Sequence, residues 1–153
     1  MDDTAERPPK WGGELVTEGE WAGWKRRVRG DSFEGLTGPF YWRSDLPGGL
    51  RMGFRAEQRH MNGGGFMHGG CTMTFADFCL FSIARPALKA RYGVTATLNG
   101  EFTGSVHVGD LVEGTGEIVK AGGSLIFVRG LLVVGESPVL SFSGVIKIVK
   151  PRT

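Results

Sequence analysis

The sequence predicts an α+β fold in which a curved antiparallel β-sheet wraps around one long central helix. Three observations lead there. Residues 71–84 are almost wholly apolar, with Met73, Ala76, Leu80, Ile83 and Ala84 at helical spacing. A helix that is apolar on nearly every side must be buried on nearly every side. Four strand-like runs follow, at 93–104, 110–123, 124–135 and 138–150, and the later turns hold Gly122-Gly123 and Ser137-Pro138. Two further aromatic and apolar stretches precede the helix. One buried helix against one bent sheet accommodates all of them, and glycines inside the strands suit a sheet that must bend.

In chain order, residues 1–30 read as an N-terminal arm and residues 31–153 as a single domain. A length of 153 residues suits one domain with a sizeable core. Within the arm, "GEWAGWKRRVRG" (19–30) is compatible with a short helix carrying Trp21, Trp24 and Val28 on one stripe. Lys25, Arg26, Arg27 and Arg29 would then form either a solvated face or a contact for an anionic ligand. "GPFYWRSD" (38–45) and "GGLRMGFRAE" (48–57), separated at "LPGG", are expected to pair as a hairpin. Arg85 followed by Pro86 is the expected stop of the central helix.

Composition narrows the function classes. Apolar residues at 41% and charged residues at 22% fit a globular chain, and a formal charge of +2 argues against nucleic acid as the main partner. No run reaches the roughly 20 apolar residues of a membrane span. The opening "MDDTAERPPKWGGE" has no apolar core of a secretory signal. Cys71 and Cys79, eight residues apart on one helix, would be separated by about 12 Å, beyond the roughly 7 Å a disulfide spans. A cytoplasmic protein with no membrane partner is expected.

The stretch "RHMNGGGFMHGG" (59–70) asks for a chemical explanation. His60 and His68 lack the spacing of a metal-binding pair, and no acid or cysteine completes a ligand set. Neither phosphate-binding glycine motif is present, and no G-x-S-x-G elbow marks a serine hydrolase. No metal and no cofactor are expected. His68-Gly69-Gly70 instead sits where the helix begins, and the first N–H groups of a helix lack internal partners and carry its positive end. Glycine there either allows tight packing or leaves an amide open to a developing oxyanion.

Asp77 is the only charged side chain between His68 and Arg85. It is either a carboxylate bonded to neighbouring polar groups or a nucleophile or general base. Eight residues along one helix put Asp77 about 12 Å from Gly69, too far for both to act on one carbonyl. If they share a site, a second copy must bring its aspartate to this helix start. Antiparallel helices about a two-fold axis would do so, which makes a homodimer with shared sites a consequence of the catalytic reading.

"NGGGFMHGGCTMTFAD" fits N-x-x-G-x-x-H-G-G with an acid nine positions after the histidine. In this it resembles the hotdog-fold acyl-CoA thioesterases, specifically the PaaI-like group. The likeness runs through "GVTATLNGEFTGSVHVGD" (93–110) to "SGVIKIV", covering roughly residues 38–150. It implies hydrolysis of an acyl-CoA to free acid and CoA without a metal, by dimers that sometimes pair into tetramers. Carried onto matching positions, it implies that Asn62 helps hold the water or attacking carboxylate and that His68 orients the turn. The Gly69 amide would polarise the thioester carbonyl, and Asp77 of the partner subunit would be nucleophile or general base. Thr95 would position the hydrolytic water, or serve only as a β-branched strand residue. Gly63-Gly64-Gly65 is richer in glycine than the pattern requires.

Arg55, Arg59, Lys120 and Arg129 are candidate contacts for CoA phosphates or plain solvated charges. Phe54, Phe66, Phe78 and Phe81 hint at an aromatic or medium-length acyl group, or belong to the core. Two other readings stay open: a hotdog enoyl-CoA hydratase or dehydratase using a histidine with an acid, and a non-catalytic acyl-CoA-binding protein.

Overall fold

Helix α2 (Gly69–Leu88) runs along one face of an eight-stranded sheet and packs on β5 to β8. The computed structural model describes residues 12–27 and 32–150. The strands are β1 (Gly13–Leu15), β2 (Lys25–Arg27), β3 (Tyr41–Arg43), β4 (Arg51–Arg55), β5 (Tyr92–Phe102), β6 (Leu111–Ala121), β7 (Leu125–Val134) and β8 (Ser137–Val149). Their order across the sheet is β1-β2-β3-β4-β6-β7-β8-β5, and every neighbouring pair is antiparallel. A short helix α1 (Ser32–Thr37) precedes β3. The expected architecture, a long helix against a curved antiparallel sheet, is present, and so are the β3–β4 hairpin and the four later strands.

The apolar run forms the helix because the sheet buries it. Phe75, Ala76, Phe78, Cys79, Leu80, Ile83, Ala84 and Leu88 are all buried. Two strand glycines let the backbones come close. A Cβ at Gly114 would stand 2.6 Å from Cys79 Sγ, and one at Gly144 would stand 2.8 Å from Leu80 Cδ1. Phe40, Phe54, Phe75 and Phe78 complete the core, with ring centroids 4.6 to 6.0 Å apart along the cluster.

Pro86 does not stop α2, which continues to Leu88. A proline near the end of a helix removes one backbone hydrogen bond. Two features hold the extra turn. Leu88 is 1% exposed. The Arg91 guanidinium donates to the Ala87 and Leu88 carbonyls at 2.9 and 3.0 Å, after Lys89 has turned left-handed at φ 50°.

The arm also differs from expectation. In place of a helix over 19–30, a turn leads into β2, which pairs with β1 and, through Lys25, with Trp42. Trp21 lies flat on Tyr41 at 4.1 Å and Trp24 is buried, so the indoles cover the sheet rather than forming a helical stripe. Arg26 pairs with Glu14 at 2.7 Å and Arg27 with Glu34 at 3.3 Å. Val28 and Arg29 lie outside the described residues. Among the described residues, no helix is long and apolar enough to cross a membrane. Cys71 and Cys79 both lie on α2 as free thiols.

Candidate active site

The glycine-rich stretch closes into a braced turn. Met61 and Met67 form a bridge, and the Asn62 N–H donates to the Phe66 carbonyl at 2.6 Å. Inside the ring, Asn62 Oδ1 accepts from the Gly64 and Phe66 amides at 2.8 and 3.2 Å. Gly65 takes φ +83°, a conformation that disfavours any side chain. The turn is anchored outward by Met67 N–H to Val106 O and His68 N–H to His60 O, both at 2.8 Å.

The two histidines of the stretch have different duties. His60 is buried; its Nδ1 accepts from the Glu57 amide at 3.0 Å, and its Nε2–H donates to Thr37 O at 2.7 Å. Both ring nitrogens hold backbone, and the ring stands edge-on to Phe54. Exposed His68 caps α2: its Nδ1 accepts from the Gly70 amide at 2.9 Å. A Cβ at Gly70 would stand 3.0 Å from that nitrogen, so glycine makes room for the cap. The Cys71 and Thr72 amides both donate to His68 O.

Of the first four amides of α2, one is left over. Among the described residues, the Gly69 N–H has no hydrogen-bond partner. It carries the positive end of a helix of 20 residues. The Phe102 ring lies beside it, with Cζ 3.4 Å from where a Gly69 Cβ would be. Phe102 is not among the residues the sequence singles out; it is brought here as the last residue of β5.

Asp77 projects half-buried from the middle of α2, and its Oδ1 accepts a hydrogen bond from Thr95 Oγ1 at 2.7 Å. A register shift between Thr95 and Thr97 disturbs β5 at this point. The structure thus brings Asp77 and Thr95 together within one chain. Gly69 stands eight residues away along the same unbroken helix, about 12 Å, with His68 and Asn62 at its end. Strand β5 is the last of the sheet, and its outer edge is unpaired among the described residues.

The remaining candidates sort by their contacts. Arg55 bonds Gly109 O and Glu20, Arg59 bonds Glu57 and the Leu36 and Gly38 carbonyls, and Arg129 pairs with Glu117. Lys120 is exposed on β6. Phe54 and Phe78 are core, Phe66 is exposed on the turn, and Phe81 lines a cavity. Burial pushes the Cys71 and Cys79 thiols above the ordinary thiol range, which disfavours a thiolate nucleophile. Among the described residues no group of histidine, cysteine or acidic side chains could hold a metal ion.

Comparison with known proteins gives a consistent outcome. Residues 64–140 match the family model of the Thioesterase superfamily. A Pseudomonas aeruginosa protein named as an esterase is 36% identical over 111 residues, covering 72% of this chain and 83% of its own. Among solved structures, a Bacillus halodurans protein crystallised with CoA superposes with a TM-score of 0.73 at 20% identity, over 82% of this chain and 83% of its own. The Escherichia coli PaaI protein, from the phenylacetic acid degradation operon, gives 0.67 at 18% identity, over 78% and 85%. Mouse thioesterase superfamily member 2 gives 0.64 at 24% identity, over 77% and 88%.

Proposed function

Because the chain belongs to the thioesterase superfamily and has its hotdog fold, we propose that it is an acyl-CoA thioesterase in which Asp77 is the nucleophile or general base. The observation that carries this reading is the Asp77–Thr95 hydrogen bond, with an unused helix amide about 12 Å away on the same helix. A carboxylate and an oxyanion donor so separated become one site only when a second copy supplies the other half. Strand β5 is suited to that: it is an unpaired edge of 11 residues, with Val94, Thr95, Ala96 and Thr97 exposed. The resulting homodimer has two equivalent sites; a pairing of dimers into a tetramer is a further step of the same proposal.

In each site the Gly69 N–H donates a hydrogen bond to the thioester carbonyl oxygen as charge develops there. Asp77 of the partner subunit either attacks the carbonyl carbon, expelling CoA thiolate and leaving a mixed anhydride that water then hydrolyses to the free acid, or takes a proton from a water that attacks the carbonyl carbon as CoA thiolate leaves. Thr95 holds the carboxylate oriented. His68 fixes the helix start, and Asn62, whose Oδ1 braces the turn, offers its Nδ2 to the water or carboxylate. The proposed chemistry draws on water and on side chains and backbone of the two subunits. The CoA-bound Bacillus halodurans structure favours a CoA thioester, and a cytoplasmic location belongs to the same proposal.

The hydratase reading needs a histidine paired with an acid at the thioester. His60 holds Glu57 and Thr37 through both nitrogens, and His68 uses Nδ1 for the helix cap. Thiol release from a panel of acyl-CoAs, by wild type and Asp77→Ala, tests the proposal. Binding without thiol release from any of them would sink it. Mixed and refolded Asp77→Ala and Asn62→Ala chains should regain partial activity if sites are shared, and verified heterodimers without recovery would remove the shared site.

A further inference from the structure

A cavity of about 320 Å³ lies between the C-terminal half of α2 and the strands β2 and β3. Its inner walls are apolar: Trp42 is buried, and Leu50 and Phe81 are half-buried. Its mouth is cationic. Lys25 and Arg85 are exposed there, and the Arg85 guanidinium lies 5.7 Å from the Trp42 ring centroid. Arg27 also lines it and pairs with Glu34 at 3.3 Å. Among the described residues, none of those lining the cavity is acidic.

The cavity begins one helical turn beyond Asp77, at Phe81, whose ring also reaches Gly93 of β5, the strand that carries Thr95. Phe81 stands four residues beyond Asp77, one turn or about 6 Å along α2. Arg85 stands four further on, about 12 Å from Asp77. An acyl group whose carbonyl sits at Asp77 would therefore run past Phe81 and end between Arg85 and Lys25. The CoA phosphates are held away from the carbonyl by the whole pantetheine arm.

We propose that this cavity receives the far end of the acyl group, and that the acyl group ends in a carboxylate held by Arg85 and Lys25. The assignment rests on the thioesterase reading above. The apolar walls select a hydrocarbon stem, and they strengthen the charge-assisted contact at its end by excluding water from one side. Because both cations are exposed, solvent and salt moderate the gain.

The test compares octanedioyl-CoA with octanoyl-CoA. Wild type should show kcat/KM higher for the diacid thioester by roughly tenfold, the size of one charge-assisted contact. The ratio should fall part of the way toward one in Arg85→Gln and reach about one on adding Lys25→Gln. A wild-type ratio at or below one overturns the proposal. So does an equal rise of KM for both thioesters in Arg85→Gln, which would mean that these cations read the CoA phosphates. Calorimetric binding of both thioesters to Asp77→Ala separates this inference from the reading beneath it. Preferential binding of octanedioyl-CoA without thiol release by wild type removes hydrolysis and keeps the cavity assignment. Equal binding with normal thiol release removes the cavity assignment alone.

Discussion

The two ends of α2 are finished in opposite ways. At the C-terminal end, Arg91 closes the helix with its backbone N–H and its guanidinium, covering the Ala87 and Leu88 carbonyls. At the N-terminal end, His68 satisfies the Gly70, Cys71 and Thr72 amides and leaves the Gly69 amide open. One end has its last two carbonyls, Ala87 and Leu88, taken by Arg91. The other keeps a single polarised donor available, on a backbone that a braced turn holds still. On the proposed function, the mark of the reactive helix terminus is that it is capped everywhere but at one position.

The sharpest way to break this contrast is to remove the partner that the open amide is proposed to serve. Asp77→Asn keeps the shape and a contact for Thr95, and kcat should fall by about 10³-fold, measured by thiol release. An unfolding midpoint near wild type would show that the loss is chemical. Next in size is His60→Ala, which strips two buried hydrogen bonds and leaves a void beneath the turn. It should cost about 3 kcal/mol in urea unfolding, with kcat well below the transition near the wild-type value.

The two caps then give a matched pair. His68→Ala removes the cap at the open end, for about 1 kcal/mol of stability, and it should also lower kcat/KM. Arg91→Ala removes the cap at the closed end for about 0.5 kcal/mol and should leave kcat/KM unmoved. Equal activity losses at the two ends, or none at either, would erase the distinction.

Much of this was legible in the sequence, for identifiable reasons. The run 71–84 had to be a buried helix because almost none of it tolerates water, and the four later strands followed from their turns. The lone charge at Asp77 and the glycines after His68 are the sequence signals for the candidate site, to which the structure adds the Asp77–Thr95 hydrogen bond. The illegible parts were decided by distant residues. Pro86 reads as a stop, but Leu88 burial and the Arg91 cap override it. Lys25–Arg27 became a strand because β1 and Trp42 offered backbone partners that a helical pattern cannot reveal. The three glycines at 63–65 exceed what the motif requires and do not reveal the brace; Asn62, through its side-chain carbonyl oxygen, holds the turn closed.

The unequal anchoring of the sheet has an evolutionary consequence. The side of α2 facing β6 and β8 is set against Gly114 and Gly144, where any added side chain collides with Cys79 or Leu80. Strand β2, across the cavity from α2, joins β3 through the single Lys25–Trp42 position. Under the proposed function, Lys25 is the cavity residue of β2 most open to change, whereas Arg27 is held by the Phe78 ring of α2 and by Glu34. On the proposed function, the cavity therefore has one wall tied to the helix that carries Asp77, through Phe81 and Arg85, and one wall on a strand that hangs from the sheet by a single position.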